Sequence, residues 1–185
     1  EENSIDFMIK IKKNPSNPTE DLISYMTIND KVVEYKTLVL MVGYDPKIHT
    51  KHNSFKVMNE NAVYEEKYTP VPFQPTMPYK RNIHLAYIPV KDGLLKCEDG
   101  SIIHDGSIIE CRYDSYDVGF TQWIPMRVRE VNKPNDFVTA INVWKTINNP
   151  ITLEMIKTGK IEGSDDIYYH SSEKRKDSAT KPLAD

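Results

Sequence analysis

Residues 4–12 alternate between apolar and polar side chains, the pattern of a β-strand with one buried face. In SIDFMIKIK, the apolar residues Ile5, Phe7, Ile9 and Ile11 share one face, and Met8 is the one break in the alternation. The following segment, Asn14-Pro-Ser-Asn-Pro18, is predicted to be a loop because its two prolines cannot donate ladder hydrogen bonds.

Residues 22–44 hold two further β-type runs, ISYMTI and VVEYKTLVLMVGY, and the dipeptide Asn29-Asp30 between them predicts a hairpin turn. Residues 46–80 are weakly patterned and indicate a long loop or insertion. Four prolines mark the end of this segment and favour an extended polyproline-like conformation: Pro70, Pro72, Pro75 and Pro78.

The next part of the chain again favours short strands. The candidates are Asn82–Val90, Ser101–Ile103, Ser107–Tyr113 and Trp123–Val131, with the turn His104-Asp-Gly106 between the second and third. Short β-runs with frequent turn signals and no long helix are typical of a small barrel rather than a sandwich.

A helix is predicted after Pro134. Asn135 is a good N-cap, the apolar residues from Phe137 to Ile147 recur at helical spacing, and Asn148-Asn-Pro150 ends the pattern. Thr152 can cap a second short helix that stops at Gly159. The predicted organisation is a first strand (1–12), a five-stranded barrel with an insertion at about 46–80 (13–133), a helical segment (134–160) and a polar linker (161–185).

Composition limits the functional classes. The chain has 185 residues, of which 39% are hydrophobic and 28% charged, with a net charge of −3 and a pI near 6.0. Since phosphate neutralisation drives nucleic-acid binding, such a role would need a local basic patch or a neighbouring domain. The sequence contains no transmembrane run and no signal peptide, and its abrupt ends suggest a piece of a longer polypeptide.

Few residues form chemically suggestive clusters. The five histidines do not combine with Cys97 and Cys111 at metal-ligand spacings, so no metal site is predicted, and the two thiols are expected to be reduced. Lys91-Asp-Gly93 and Lys96–Gly100 resemble the Lys-x-Asp-Gly nucleophile motif of covalent nucleotidyltransferases, but neither has its spacing. Both are interpreted as turns.

The segment from Trp123 to Lys133 is the strongest candidate for chemistry. Strand alternation places Arg127 and Arg129 on one face, with Lys133 close behind, and guanidinium groups bind phosphate oxygens bidentately. The alternative is an exposed face with solvated or ion-paired arginines. Trp123 is equally compatible with a barrel-core anchor and with an RNA base-stacking platform.

Several motifs resemble the large-virus mRNA capping enzymes, and they occur in that family's order. Ser4-Ile-Asp-Phe7 is similar to its TIDF run, Asp105–Asp114 to its D-x-x-I-V-E-F-x-Y-D strand, and Trp123–Arg129 to its W-x-P-x-R-V-R-x-D-K motif. Asn142–Trp144 and Ile147–Thr152 resemble N-x-W-x-x-I-x-N-P-I-T. The stretch from Tyr168 to Asp185 resembles the lead-in to the guanine-N7 methyltransferase domain.

This resemblance implies a mainly β, OB-fold, five-stranded Greek-key barrel at the C-terminal end of a guanylyltransferase, followed by one or two short helices. Residues 1–12 would then be the first strand or the end of the nucleotidyltransferase domain, and 161–185 the linker to the methyltransferase. The fragment itself would supply no catalytic residue. An upstream lysine would form a covalent GMP adduct, and this domain would close over GTP.

The resemblance also implies partners and cofactors. Arg127, Arg129 and Lys133 would bind GTP phosphates, although Val131-Asn132 replaces the family's Asp-Lys and only a one-residue insertion brings Lys133 into register. GTP and Mg²⁺ would serve the full enzyme, and S-adenosylmethionine the downstream domain. The partners would be those two domains and an RNA 5′ end, at an intracellular site of viral transcription or in the virion, with no membrane.

Three other functions stay open. A stand-alone OB fold could hold single-stranded RNA with Trp123, Tyr113 and Phe120, although the negative net charge argues against such a groove. The OB domain of a polynucleotide ligase would share the arginine-bearing motif. A divergent OB fold could also have a purely structural role.

Overall fold

The computed structural model describes residues 3–46, 69–115 and 122–149. The strands are β1 (Ser4–Ile11), β2 (Lys13–Asn14), β3 (Asn17–Asp21), β4 (Ile23–Ile28), β5 (Lys31–Tyr44), β6 (Thr69–Pro72), β7 (Leu85–Pro89), β8 (Ile108–Tyr113) and β9 (Trp123–Arg129), followed by helix α1 (Phe137–Asn148). These elements belong to one compact unit, Glu1–Asn148, and the second unit, Asn149–Asp185, lies outside the described residues except for Asn149.

The long strand β5 organises the sheet. Its N-terminal half pairs with β4 and its C-terminal part with β1, while its other edge pairs with β7 and β6. The path continues from β1 through β8 to β9, and all of these pairings are antiparallel. The described part of the chain is therefore mainly β and consistent with an OB-like fold.

The strongest sequence patterns are confirmed. Strand β1 alternates as predicted, with Ile5, Phe7, Ile9 and Ile11 buried, because it lies between β5 and β8 and covers the core with one face. The β4–β5 hairpin turns at Asn29 and Asp30, whose φ angles of 49° and 62° are those that a tight two-residue turn requires.

Two proline-containing segments, one predicted as a loop and one as an unpaired polyproline-like stretch, contain paired strands instead. Residues 69–72 form β6, which tolerates Pro70 and Pro72 because it is an edge strand and the next amide, that of Phe73, donates to the carbonyl of Leu40 at 2.9 Å. Strands β2 and β3 form a small hairpin around Pro15, with Asn14 opposite Asn17. Most of the predicted insertion, 47–68, lies outside the described residues.

The predicted strand at 101–103 is reduced to an isolated bridge between Lys96 and Ile102. The loop around it has another role, because it covers the outer edge of β9. The amide of Glu98 donates to the carbonyl of Pro125 at 2.9 Å, and the amide of Val128 donates to the Ser101 hydroxyl at 3.0 Å. These contacts satisfy an edge that would otherwise be open, as barrel closure does.

Helix α1 ends at Asn148 as predicted, but its N-cap is Asp136 rather than Asn135. The Asp136 carboxylate accepts from the Thr139 amide at 2.7 Å. Asn135 instead joins β1, since its side-chain oxygen accepts from the Asp6 amide at 2.7 Å and its own amide donates to the Asp6 carbonyl at 2.8 Å. The predicted second helix lies outside the described residues, and no described helix is long and apolar enough to cross a membrane.

The core is continuous from the sheet to the helix. Aromatic side chains from five different segments meet in it, and their ring centroids lie 5.0–6.2 Å apart: Phe7, Phe73, Tyr113, Trp123 and Trp144. All seven of these pairs are tilted or edge-to-face, the arrangements that aromatic quadrupoles favour. The helix is therefore part of the same packed unit as the strands.

Both cysteines are buried and free, which confirms the expectation of reduced thiols. Burial raises the pKa of Cys97 to about 11 and holds the pKa of Cys111 well above its ordinary value, so the unreactive protonated form dominates at neutral pH. We expect a soluble disulfide reagent to modify neither thiol of the folded protein within the time in which it modifies both thiols of the unfolded protein. Rapid release of one equivalent of the reagent's thiol product by the folded protein would contradict this.

Candidate phosphate-binding site

Strand β9 carries core residues in its first half and charged residues in its second. Glu110 lies opposite Arg127 while Cys111 lies opposite Pro125, so β9 contains one extra residue, Met126, at a β-bulge. In a regular strand, positions 123, 125, 127 and 129 would all share one face. The bulge interrupts this alternation between Pro125 and Arg127.

The consequence is that the two halves of β9 face different environments. Trp123 and Pro125 point into the core and are buried, whereas the Arg127 side chain is 51% exposed. The side chain between the arginines, Val128, packs against the core. The bulge therefore presents Arg127 and Arg129 on the outer face while the strand stays anchored by its buried half.

One carboxylate holds both arginines. The Glu110 Oε2 atom accepts from Arg127 Nη2 at 3.1 Å and Nε at 3.3 Å, and from Arg129 Nη1 at 3.4 Å. As the alternation predicts, the two guanidinium groups thus share a face and lie side by side. Glu110 itself is only 15% exposed in its side chain, so it is the inner member of this cluster.

Asp6 completes the charge cluster. It lies opposite Glu110 in the β1–β8 pairing, and its Oδ2 atom is 3.7 Å from Arg129 Nε. Burial raises the pKa of Asp6, the Arg129 guanidinium opposes that shift, and the Glu110 carboxylate adds to it. Two carboxylates thus face two guanidinium groups on three adjacent strands, and the guanidinium groups are the more exposed members.

Lys133 lies in the exposed loop between β9 and α1. The loop returns to β1 two residues later, where Asn135 bonds to the backbone of Asp6. The structure thus gathers Arg127 and Arg129 around Glu110 of β8 and places Lys133 on a connection that ends beside Asp6 of β1. Phosphate oxygens are the ligands suited to a pair of half-exposed guanidinium groups.

Of the two roles that the sequence allowed for Trp123, core anchor and base-stacking platform, the structure supports the core anchor. Its side chain is 1% exposed, and its indole Nε1 donates to the carbonyl of Ile83 at 2.7 Å. Its ring has no exposed face on which a base could stack. Tyr113 packs against it and donates its hydroxyl to Gln122 at 2.9 Å, while Phe120 lies outside the described residues.

Sequence reasoning missed Glu110 and Asp6 as parts of this site. The available signal was a charged residue between the apolar neighbours Ile109 and Cys111, which marks an outward-facing position on an inner strand. The Asp-Gly runs at 92–93 and 99–100 are turns, as predicted, with positive φ at Asp92, Gly93 and Gly100. Among the described residues, no group of His, Cys, Asp and Glu side chains is arranged to hold a metal ion.

Comparison with known families identifies the family of this chain. A family model described as "mRNA capping enzyme, C-terminal domain" matches residues 2–157, which covers all of the described strands and the helix. The chain belongs to this family. Its membership confirms the capping-enzyme part of the resemblance, whereas the methyltransferase linker stays a prediction.

A curated relative supports the same assignment of this capping-enzyme domain. A probable mRNA-capping enzyme of Acanthamoeba polyphaga mimivirus is 30% identical over 176 residues. The match covers 85% of this chain but 13% of the relative, so the domain spans only a small part of that protein. No solved structure matches the chain significantly.

Proposed function

We propose that this capping-enzyme C-terminal domain is the lid of an mRNA guanylyltransferase, which closes over GTP and orients its β- and γ-phosphates. The observation that carries the proposal is the pair formed by Arg127 and Arg129, which one carboxylate holds on the outer face of the sheet. The core-bound half of β9 fixes the backbone of this pair, so its position follows that of the whole domain.

Formation of the GMP adduct would require positively charged groups such as Arg127 and Arg129. A lysine amine of the neighbouring nucleotidyltransferase domain would attack the α-phosphorus of GTP, form a phosphorus–nitrogen bond and displace pyrophosphate. Negative charge grows on the leaving oxygens, and fixed guanidinium groups would stabilise it. Closing of the domain would align the pyrophosphate in line with the attacking amine and exclude water.

Opening of the lid would then withdraw the arginines and release pyrophosphate. The 5′-diphosphate end of an RNA could reach the adduct, and its terminal oxygen would attack the same phosphorus to give the GpppN cap and free lysine. Lys133 would add a further cation on the phosphate side. The Asn132 that replaces the family's aspartate would make this loop contribute less than the two arginines.

The remaining partners belong to the whole polypeptide. We infer an upstream nucleotidyltransferase domain and a downstream methyltransferase domain that uses S-adenosylmethionine, with Mg²⁺ supplied together with GTP. None of the described residues is assigned to the metal. We expect the reaction to take place where viral RNA is transcribed, because the similar capping enzyme belongs to a virus.

Nucleotide specificity tests the function. The full polypeptide, incubated with Mg²⁺ and either GTP or ATP labelled in the α-phosphate, is expected to acquire covalent label from GTP only. Residues 1–185 alone serve as a negative control because they contain no Lys-x-Asp-Gly motif.

Two outcomes would overturn the proposal. Labelling by ATP instead of GTP would indicate a ligase, against which the family match already argues. No labelling by either nucleotide, together with tight binding of single-stranded RNA, would indicate a binding module without catalysis.

A further inference from the structure

The carboxylate of Glu110 lies at the centre of the charged outer face. On β8 it is opposite Asp6 of β1 on one side and Arg127 of β9 on the other. It is also the least exposed of the four charged side chains, at 15%, against 21% for Asp6, 32% for Arg129 and 51% for Arg127. Glu110 is therefore the inner residue of the cluster, and the two arginines lie outside it.

The two arginines contact the carboxylates differently. Arg127 directs Nε and Nη2, which form one edge of its guanidinium, to Glu110. Arg129 directs Nη1 to the same Glu110 oxygen, and its Nε lies 3.7 Å from Asp6. A guanidinium group has five N–H donors in a rigid plane. The Nη1 group of Arg127 is not used by Glu110, and neither is the Nη2 group of Arg129, so donors remain on each guanidinium for a second, outer anion.

Without Glu110, two effects would drive the guanidinium groups apart. They carry like charges and repel each other. Long arginine side chains also lose considerable rotamer freedom when they are fixed in one position. A shared acceptor removes both obstacles before the ligand arrives. Pre-organisation of this kind increases a rate because the transition state does not have to order the groups that stabilise it.

We propose that Glu110 is a positioning residue, which holds Arg127 and Arg129 side by side, ready to receive two adjacent phosphate groups. The inference rests on the proposed role of the arginines in GTP binding and adds the residue through which they act. Glu110 carries a negative charge, so it does not increase the attraction of the site for GTP. Its contribution lies in geometry.

This distinction predicts a separation between rate and affinity. In Glu110→Gln the side chain keeps its size but loses the charge that holds the arginines. We expect the limiting rate of GMP labelling in the full polypeptide to fall about 10- to 100-fold, as for other small misplacements of catalytic groups. The GTP concentration for half-maximal rate should stay constant or decrease, because one repelling charge has been removed.

Glu110→Asp separates position from charge. The carboxylate stays, but it is withdrawn by one methylene from both arginines, so a similar loss of rate is expected. Glu98→Gln is the matched control: Glu98 pairs with Arg112 at 2.6 Å and does not touch the arginine pair, so this variant should label at the wild-type rate. Thermal unfolding is measured for every variant.

The results separate the two proposals. If Arg127→Ala and Arg129→Ala lose labelling while both Glu110 variants label normally, the positioning role is wrong and the lid proposal stands. If the arginine variants label normally, the lid proposal fails and the positioning role fails with it. A Glu110 variant whose only defect is a weaker apparent affinity for GTP, or whose lost rate follows lost stability, would also overturn the positioning role.

Discussion

Replacing Trp123 with alanine is expected to lower the free energy of unfolding by about 3–5 kcal/mol, the range for loss of a large buried aromatic side chain. The indole lies at the meeting point of the strands and the helix, in contact with Phe7, Phe73, Tyr113 and Trp144. Its loss also leaves the buried carbonyl of Ile83 without its donor. Denaturant unfolding of residues 1–185, followed by circular dichroism, measures the effect.

Two variants make this measurement specific. Trp123→Phe keeps an aromatic ring but loses the hydrogen bond to Ile83, so a smaller loss is expected. Tyr25→Ala removes an aromatic side chain that is 67% exposed and should change the free energy by no more than about 0.5 kcal/mol. If Trp123→Ala cost no more than Tyr25→Ala, the indole could not be the anchor of β9.

The largest effect on function is expected for Arg129→Ala. In the full polypeptide, this variant should reduce covalent GMP labelling about 100-fold or more, as the loss of a fixed donor to a developing negative charge does in other enzymes. Arg129→Lys keeps the charge but loses the planar fork, so we expect it to restore only part of the activity. The initial rate of labelling at saturating GTP is the measurement.

Arg112→Ala provides the comparison. Arg112 also lies on the outer side of β8, but it pairs with Glu98 and not with Glu110, so its removal should leave labelling close to the wild-type rate. Equal losses for Arg112→Ala and Arg129→Ala would mean that general positive charge, rather than the fixed pair, supports the reaction. Lys133→Ala in the same series shows how much the loop lysine adds.

The sequence predicted those parts of the fold that depend on local pattern. Strand β1 was predictable because a strand with one buried face has apolar side chains at alternate positions. The β4–β5 turn was predictable because Asn and Asp tolerate positive φ. Strand β6 was not, because its pairing with β5 depends on partners 25 to 31 residues earlier, from Tyr44 opposite Thr69 to Met41 opposite Pro72. Its prolines favoured an unpaired, polyproline-like interpretation.

The site divides in the same way. The shared face of Arg127 and Arg129 followed from alternation over three residues, which the bulge leaves intact. The burial of Trp123 and the central position of Glu110 did not, because both depend on residues brought together from distant parts of the chain. The Asn135–Asp6 bond, which spans 129 positions, is the extreme case, and it explains why a good N-cap residue does not cap the helix.

The bulge at Met126 also sets the evolutionary tolerance of this strand. The residues before it pack into the core and those after it carry the two arginines, and the extra residue keeps these two groups on opposite sides of the sheet. Many side chains could serve at position 126, whereas deletion of the residue would turn either the tryptophan outward or the arginines inward. The length of this segment should therefore be inherited more strictly than the identity of its middle residue.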